Sequence, residues 1–154
     1  MHIAVNQVRD LELIEKELSS NPAGVLALML DNEKVSQIAT TFLYLDKNIF
    51  IFFGNDDELF DKIQFETNVT FTILKYGKIK KEKNMVFEPT YNLFSISISG
   101  LVKKVDEPKL LEELQQNYIS KYKKSVEEKI DLSTISKAII IDTEEIQAFE
   151  ETGG

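Results

Sequence analysis

Three serines lie in the clearest period-two pattern of this chain. Ser95, Ser97 and Ser99 alternate with Ile96 and Ile98, which puts three hydroxyls on one face of a strand, where they can donate to a ligand or to ordered water. The plainer reading of the same pattern is a solvent-facing stripe opposite an apolar core. Five lysines at positions 75, 78, 80, 81 and 83 are dense enough to hold an anion, or they form the solvated surface of a hairpin arm. Phe50, Phe52 and Phe53, together with Phe42 and Tyr44, could stack on a planar cofactor or fill the core around a central strand. Carboxylates are plentiful but scattered, and spacing alone pairs no two of them for acid–base work.

Other chemistries are excluded by what is missing. There is no cysteine, which removes disulfides, thiolate metal sites and cysteine nucleophiles. The only histidine is His2, next to the first Met and read as a disordered terminal residue, so imidazole-based triads and zinc sites are not expected. Neither a Gly-rich dinucleotide fingerprint nor a Walker A motif is present; Gly77-Lys78-Ile79 lacks the upstream glycine and the following hydroxyl. Eighteen Lys+Arg against twenty-six Asp+Glu give a net charge of −8, which repels phosphodiester backbones and anionic membranes. Nucleic acid and membrane are therefore not expected as partners. The first twenty residues carry Arg9, Asp10, Glu12, Glu15, Lys16 and Glu17, leaving no room for a membrane span or a secretory signal, and a cytoplasmic protein is expected.

The chain has 154 residues, 43% hydrophobic and 29% charged, the profile of one soluble domain over residues 1–154. Val8, Leu11, Ile14 and Leu18 repeat at helical spacing up to Ser19-Ser20-Asn21-Pro22, predicting an N-terminal amphipathic helix. A continuous apolar run, 25–30, then a second segment, 35–45, and a third, 49–53, read as three strands joined by tight turns. Gly54-Asn55-Asp56-Asp57 breaks the sheet before a short helix with Leu59, Phe60 and Ile63 on one face. Val69 to Tyr76 and Phe94 to Val105 alternate as strands, with a hairpin arm or long loop between Gly77 and Pro89. Asp106-Glu107-Pro108 opens a helix reaching Tyr122. Residues 123–137 suit a helix end and a linker, and 138–142 a last strand, which 145–149 prolong after a bend. Short connections exclude parallel βαβ units and favour an antiparallel barrel with peripheral helices.

This order of elements, with Glu66-Thr67-Asn68-Val69-Thr70 after the short helix, Ser99-Gly100 late in a long strand, and Ile146 to Phe149 in an I-x-x-F pattern, resembles the pyridoxamine 5′-phosphate oxidase-like, FMN-binding split-barrel family over about residues 8–150. The resemblance implies a mainly β protein, a six-stranded antiparallel Greek-key split barrel with peripheral helices, forming a homodimer with two FMN sites between subunits. It implies that the flavin packs along Ile38, Ala39, Thr40, Thr41, Phe42 and Leu43, and meets Phe52 and Phe53. A glutamine near the ring in the oxidases falls on Ser95.

Where the family holds the phosphate with a Ser-Arg-Lys-like cluster, an ungapped reading places Asp57 and Glu58. With Asp56 they set three carboxylates at the start of the short helix, and each would oppose a dianionic phosphate by about 1–3 kcal/mol at a partly exposed site. Lys62, or the lysines of 75–83 reaching across a dimer, would have to compensate. The Arg-Leu-His-containing segment with which true pyridoxamine phosphate oxidases hold substrate has no counterpart in Glu150 to Gly154, and haem chemistry would have only His2 as an iron ligand. The expected activity is an FMN-dependent oxidoreductase acting on a small molecule that no residue singles out. The alternative is a non-enzymatic split-barrel dimer that has lost FMN and binds another small ligand.

Overall fold

Period-two alternation makes strands the dominant element of this chain. In the computed structural model, which describes residues 3–79, 90–123 and 129–154, the elements run β1 (Ile3–Val8), α1 (Leu11–Ser20), β2 (Gly24–Met29), β3 (Val35–Thr40), β4 (Leu43–Leu45), β5 (Asn48–Phe53), β6 (Asn68–Lys78), β7 (Tyr91–Lys104), α2 (Pro108–Tyr122) and β8 (Lys137–Gly153). The strands pair antiparallel in one sheet of order β3-β2-β6-β7-β8-β5-β4, with β1 also on β8.

The mainly β, antiparallel architecture is the expected one, but the described strands number eight, not six. Two local causes account for this. Residues 3–8 pair with Ala148–Gly153, although Ile3 and Val5 stay exposed, so the segment lacks the one-sided pattern that marks a strand in sequence. The expected strand 35–45 breaks at Thr41-Phe42, where Phe42 turns its ring fully into the core; β3 then pairs with β2, and β4 with β5. Since β3 and β4 are the two edges of the sheet and only two residues separate them, the sheet must curl until its edges meet. The covalent chain closes the ring, and no ladder joins β3 to β4.

Inside, one rung crosses five strands through Ile38, Leu26, Phe71, Ile98 and Ile146, every member apolar. Helix α1 adds Ile14 and Leu18 to this core. It starts at Leu11 rather than Val8 because the Asp10 carboxylate accepts the Glu12 and Leu13 N–H groups as an N-cap. Outside, Leu110, Leu111 and Leu114 of α2 cover β4, β5 and the start of β8, over Leu43, Phe50 and Ala138.

Three further expectations change. The helix after Gly54 is a single 3-10 turn, Phe60–Lys62, too short to build a useful dipole. In the stretch read as a linker, a 3-10 turn spans Leu132–Ile135. β8 runs unbroken from 137 to 153, and the expected bend is a bulge: Gly100 pairs with Thr143 and Ser99 with Glu145, leaving Glu144 extra. The arm retains strand structure to Lys78 and from Tyr91, while Lys80, Lys81, Lys83 and His2 lie outside the described residues. Among the described residues no helix is long and apolar enough to cross a membrane.

At the bulge, a Cβ on Gly100 would collide with the backbone carbonyl of Asp142, which cannot swing aside as a side chain could. Gly100→Ala is therefore expected to destabilise by about 2–3 kcal/mol, read as a lower urea midpoint with an unchanged slope.

Candidate functional site

Opposite residues of paired strands share a face, so register alone assigns the outer surface. One rung runs Ala39, Val25, Thr72, Ser97, Gln147; the next runs Gln37, Ala27, Thr70, Ser99, Glu145. On the other side of the first lie Leu74, Ser95, Phe149 and Gln7, then Tyr76, Leu93, Glu151 and Val5. The serines do lie opposite buried Ile96 and Ile98, but they are half-buried rather than solvent-facing, and Thr72 and Ser97 share a hydrogen bond of 3.2 Å. A groove of about 390 Å³ opens beside them, lined by Ala27, Met29, Val35, Asn68, Thr70 and Ser99. Val25, Val5, Leu74, Tyr76 and Phe149 border this surface as exposed apolar side chains, of which Val5, Leu74 and Tyr76 are 59–61% exposed.

Of the residues expected to line a cofactor, Ala39 and Ser95 stand on this outer face. Ile38 points the other way, against the inner core. Phe42 is fully buried and Phe53 nearly so, with Phe53 edge-on to Phe60 at 5.5 Å. Leu43 is buried beneath α2. Thr40 donates to the Thr41 carbonyl. The set is thus divided between the two faces of the sheet, as alternation along β3 requires.

Thr41, Phe42 and Phe52 are gathered by three side chains of α2. Near the end of α2, the Tyr118 hydroxyl lies 3.0 Å from Thr41 Oγ1 and the Tyr118 ring 4.9 Å from Phe52. The Tyr122 hydroxyl accepts the Phe42 N–H at 3.1 Å and lies 2.8 and 2.7 Å from the carbonyl oxygens of Phe42 and Pro22. Having one proton, it donates to one of them at a time. Lys121 Nζ supplies the other donor, 2.9 Å from the Phe42 oxygen, and sits 3.8 Å from the centroid of the Phe42 ring. Burial pushes the Lys121 amine down to about 8 and raises the Tyr122 hydroxyl. The i, i+4 spacing of Tyr118 and Tyr122 was the available signal, but it reads equally as ordinary packing.

The segment after β5 is built from acids. Asp57 is committed to its own backbone, its carboxylate accepting the Leu59 N–H at 3.0 Å, while Asp56, Glu58 and Lys62 are exposed. The cations placed nearby are Lys137 and Lys104, 5.1 and 5.6 Å from the Phe60 ring centroid. The hydroxyl-bearing face suits the polar edge of a flavin ring. Residues 56–58 do not suit its phosphate, because the charges have the wrong sign. Among the described residues no three His, Asp or Glu side chains are grouped to hold a metal.

Two measurements address the Phe42 lock. Tyr122→Phe leaves the buried Phe42 N–H without its acceptor, and a loss of about 1–3 kcal/mol in chemical denaturation is expected. For Lys121, the folded amine loses its proton at about 8 while the unfolded one keeps it to about 10.4. The unfolded state therefore binds more protons in that window, and this group's contribution to stability rises with pH across it. Lys121→Met should abolish that rise, seen as a smaller gain than the parent's when unfolding is compared at pH 7.5 and 10.

The sequence matches no protein-family model and no curated protein, but solved structures match over nearly its whole length. A candidate 5-nitroimidazole antibiotic resistance protein from Bacteroides thetaiotaomicron superposes with a TM-score of 0.74 at 12% identity, covering 99% of this chain and 90% of that one. A candidate pyridoxamine 5′-phosphate oxidase from Corynebacterium glutamicum gives 0.62 at 16% identity, covering 100% and 98%. The FAD binding protein from Mycobacterium smegmatis gives 0.62 at 14% identity, covering 94% and 98%. With the curled antiparallel sheet and its covalently joined edges, these likenesses establish that the chain has the split-barrel fold of the pyridoxamine 5′-phosphate oxidase-like proteins.

Proposed function

We propose that this chain is a cytoplasmic flavin-binding split-barrel protein that works as a homodimer, holds FMN in clefts between subunits and passes a hydride or electrons to a small acceptor. The observation that carries the reading is the bare outer half of the sheet. α2 covers one half, while the other presents Thr70, Thr72, Ser95, Ser97 and Ser99 bordered by exposed apolar residues, a surface suited to a second subunit and to a ring with a polar edge. Flavin-binding neighbours of the same fold support the cofactor class, among them an FAD-binding protein from Mesorhizobium loti and a flavocytochrome from Azotobacter vinelandii. FMN, when bound, supplies the redox chemistry. The chain's own part is to orient the ring with hydroxyls and to exclude water with Val25, Leu74 and Phe149. The name of the Bacteroides neighbour makes a 5-nitroimidazole the first acceptor to try.

A second reading, a dimer that has lost FMN and binds another small ligand, is favoured by the acids at 56–58. The visible spectrum of the purified protein, recorded before and after adding FMN and removing the excess by gel filtration, decides between the two. A retained flavin band is expected; a colourless protein would overturn the leading reading. Asp56→Lys with Glu58→Lys, which spares the Asp57 hydrogen bond to the Leu59 N–H, should tighten FMN binding at least tenfold. Light scattering at micromolar concentration should give a dimer, converted to monomer by Leu74→Glu with Phe149→Glu.

A further inference from the structure

Where α1 crosses the end of the barrel, it leaves a cleft of about 220 Å³ against the inner side of β6, β7 and β8, room for roughly seven waters at ~30 Å³ each. Register places Lys75, Phe94 and Glu150 side by side across the three strands, and α1 contributes Leu13 and Glu17 from above. This cleft is on the opposite side of the sheet from the hydroxyl-bearing face.

Its charges are unequal. Glu17 is the only buried charged or polar residue among those described, and burying a carboxylate is costly without a cation. The cation it has is Lys75, whose Nζ reaches Glu17 Oε1 at 3.2 Å from a side chain that is 65% exposed. On the facing wall, Glu150 is oriented by Asn92, whose Nδ2 donates to Oε1 at 2.8 Å, and among the described residues no ammonium or guanidinium pairs with it. Lys75 thus pairs with Glu17, while Glu150 is held by the neutral Asn92 amide. Leu13 and Phe94 give the cleft an apolar lining, and a Cβ added at Gly77 would meet nothing within 4 Å.

We propose that this cleft binds a small primary alkylammonium, its charge on Glu150 and its hydrocarbon chain against Leu13 and Phe94. The Lys75–Glu17 pair shows the same recognition made within the chain: an aliphatic ammonium brought to a carboxylate at the wall of this cleft. A pair that only pinned α1 would require neither an oriented second carboxylate nor the space over Gly77.

The test is isothermal titration of the full chain with n-butylammonium chloride, with n-butanol as the uncharged control. Saturable binding at least tenfold tighter than that of butanol is expected. Glu150→Gln, which keeps an acceptor for Asn92, should weaken it tenfold or more. Gly77→Leu, which fills the space from an exposed strand position, should do the same without lowering the melting temperature, and it keeps the test open if Glu150→Gln folds poorly. Absence of saturable binding, equal binding of butanol, or unchanged affinity in the folded variants would overturn the proposal.

Discussion

Two residues, Thr41 and Phe42, are all that separate the edge strands of an otherwise open sheet, and the barrel depends on how that junction is held. Without a ladder between β3 and β4, the covalent link alone would let the seam swing. Three side chains from the end of α2 prevent this: Tyr122 and Lys121 satisfy both backbone groups of Phe42, and Tyr118 takes the Thr41 hydroxyl. The Tyr122 and Lys121 contacts are partly buried, and their loss would leave a backbone group of Phe42 dry. Keeping a lysine there is costly, which its lowered affinity for a proton records.

Placing α2 at the seam also divides the outer surface. One helix can cover only part of a curled sheet, and α2 covers the part next to the junction it locks. The remaining outer surface carries alternation made for two sides: isoleucines and phenylalanines inward, serines and threonines outward. Hydroxyls rather than charges at Thr70, Thr72, Ser95, Ser97 and Ser99 allow that part of the face to be covered without a large desolvation cost. The seam and the proposed ligand surface are thus linked through the position of one helix.

Much of this was legible in the residues. Alternation at 69–76 and 94–105 marked the central strands, Pro108 marked the start of α2, and Asn21-Pro22 the end of α1. The break at 41–42 was not, because VSQIATTFLYL contains no Gly, Pro, Asn or Asp to mark a turn, and only the demand that both edges be satisfied by different partners turns Phe42 inward. β1 was missed for the converse reason: it is held by backbone pairing with β8 while its apolar side chains remain outside. The candidate site was legible as types and not as a place. Ser95, Ser97 and Ser99 share a face by period alone, but that Ala39 joins them while Ile38 leaves follows from the register between β3 and β2. The tyrosines and lysine at the end of α2 had no signal separable from helix packing.

The seventeen residues of β8 pair with β1, β7 and β5, which has a consequence for how the chain comes to be folded. As the polypeptide emerges from the ribosome, β2 to β7 are complete while one edge each of β5 and β7 still waits for residues 137–153. Open edges of that kind are templates for pairing with other chains, and sheets built from such distant contacts form slowly. The barrel therefore exposes most adhesive backbone just before its last strand arrives, and a chain stalled short of residue 137 would be the species most in need of a chaperone.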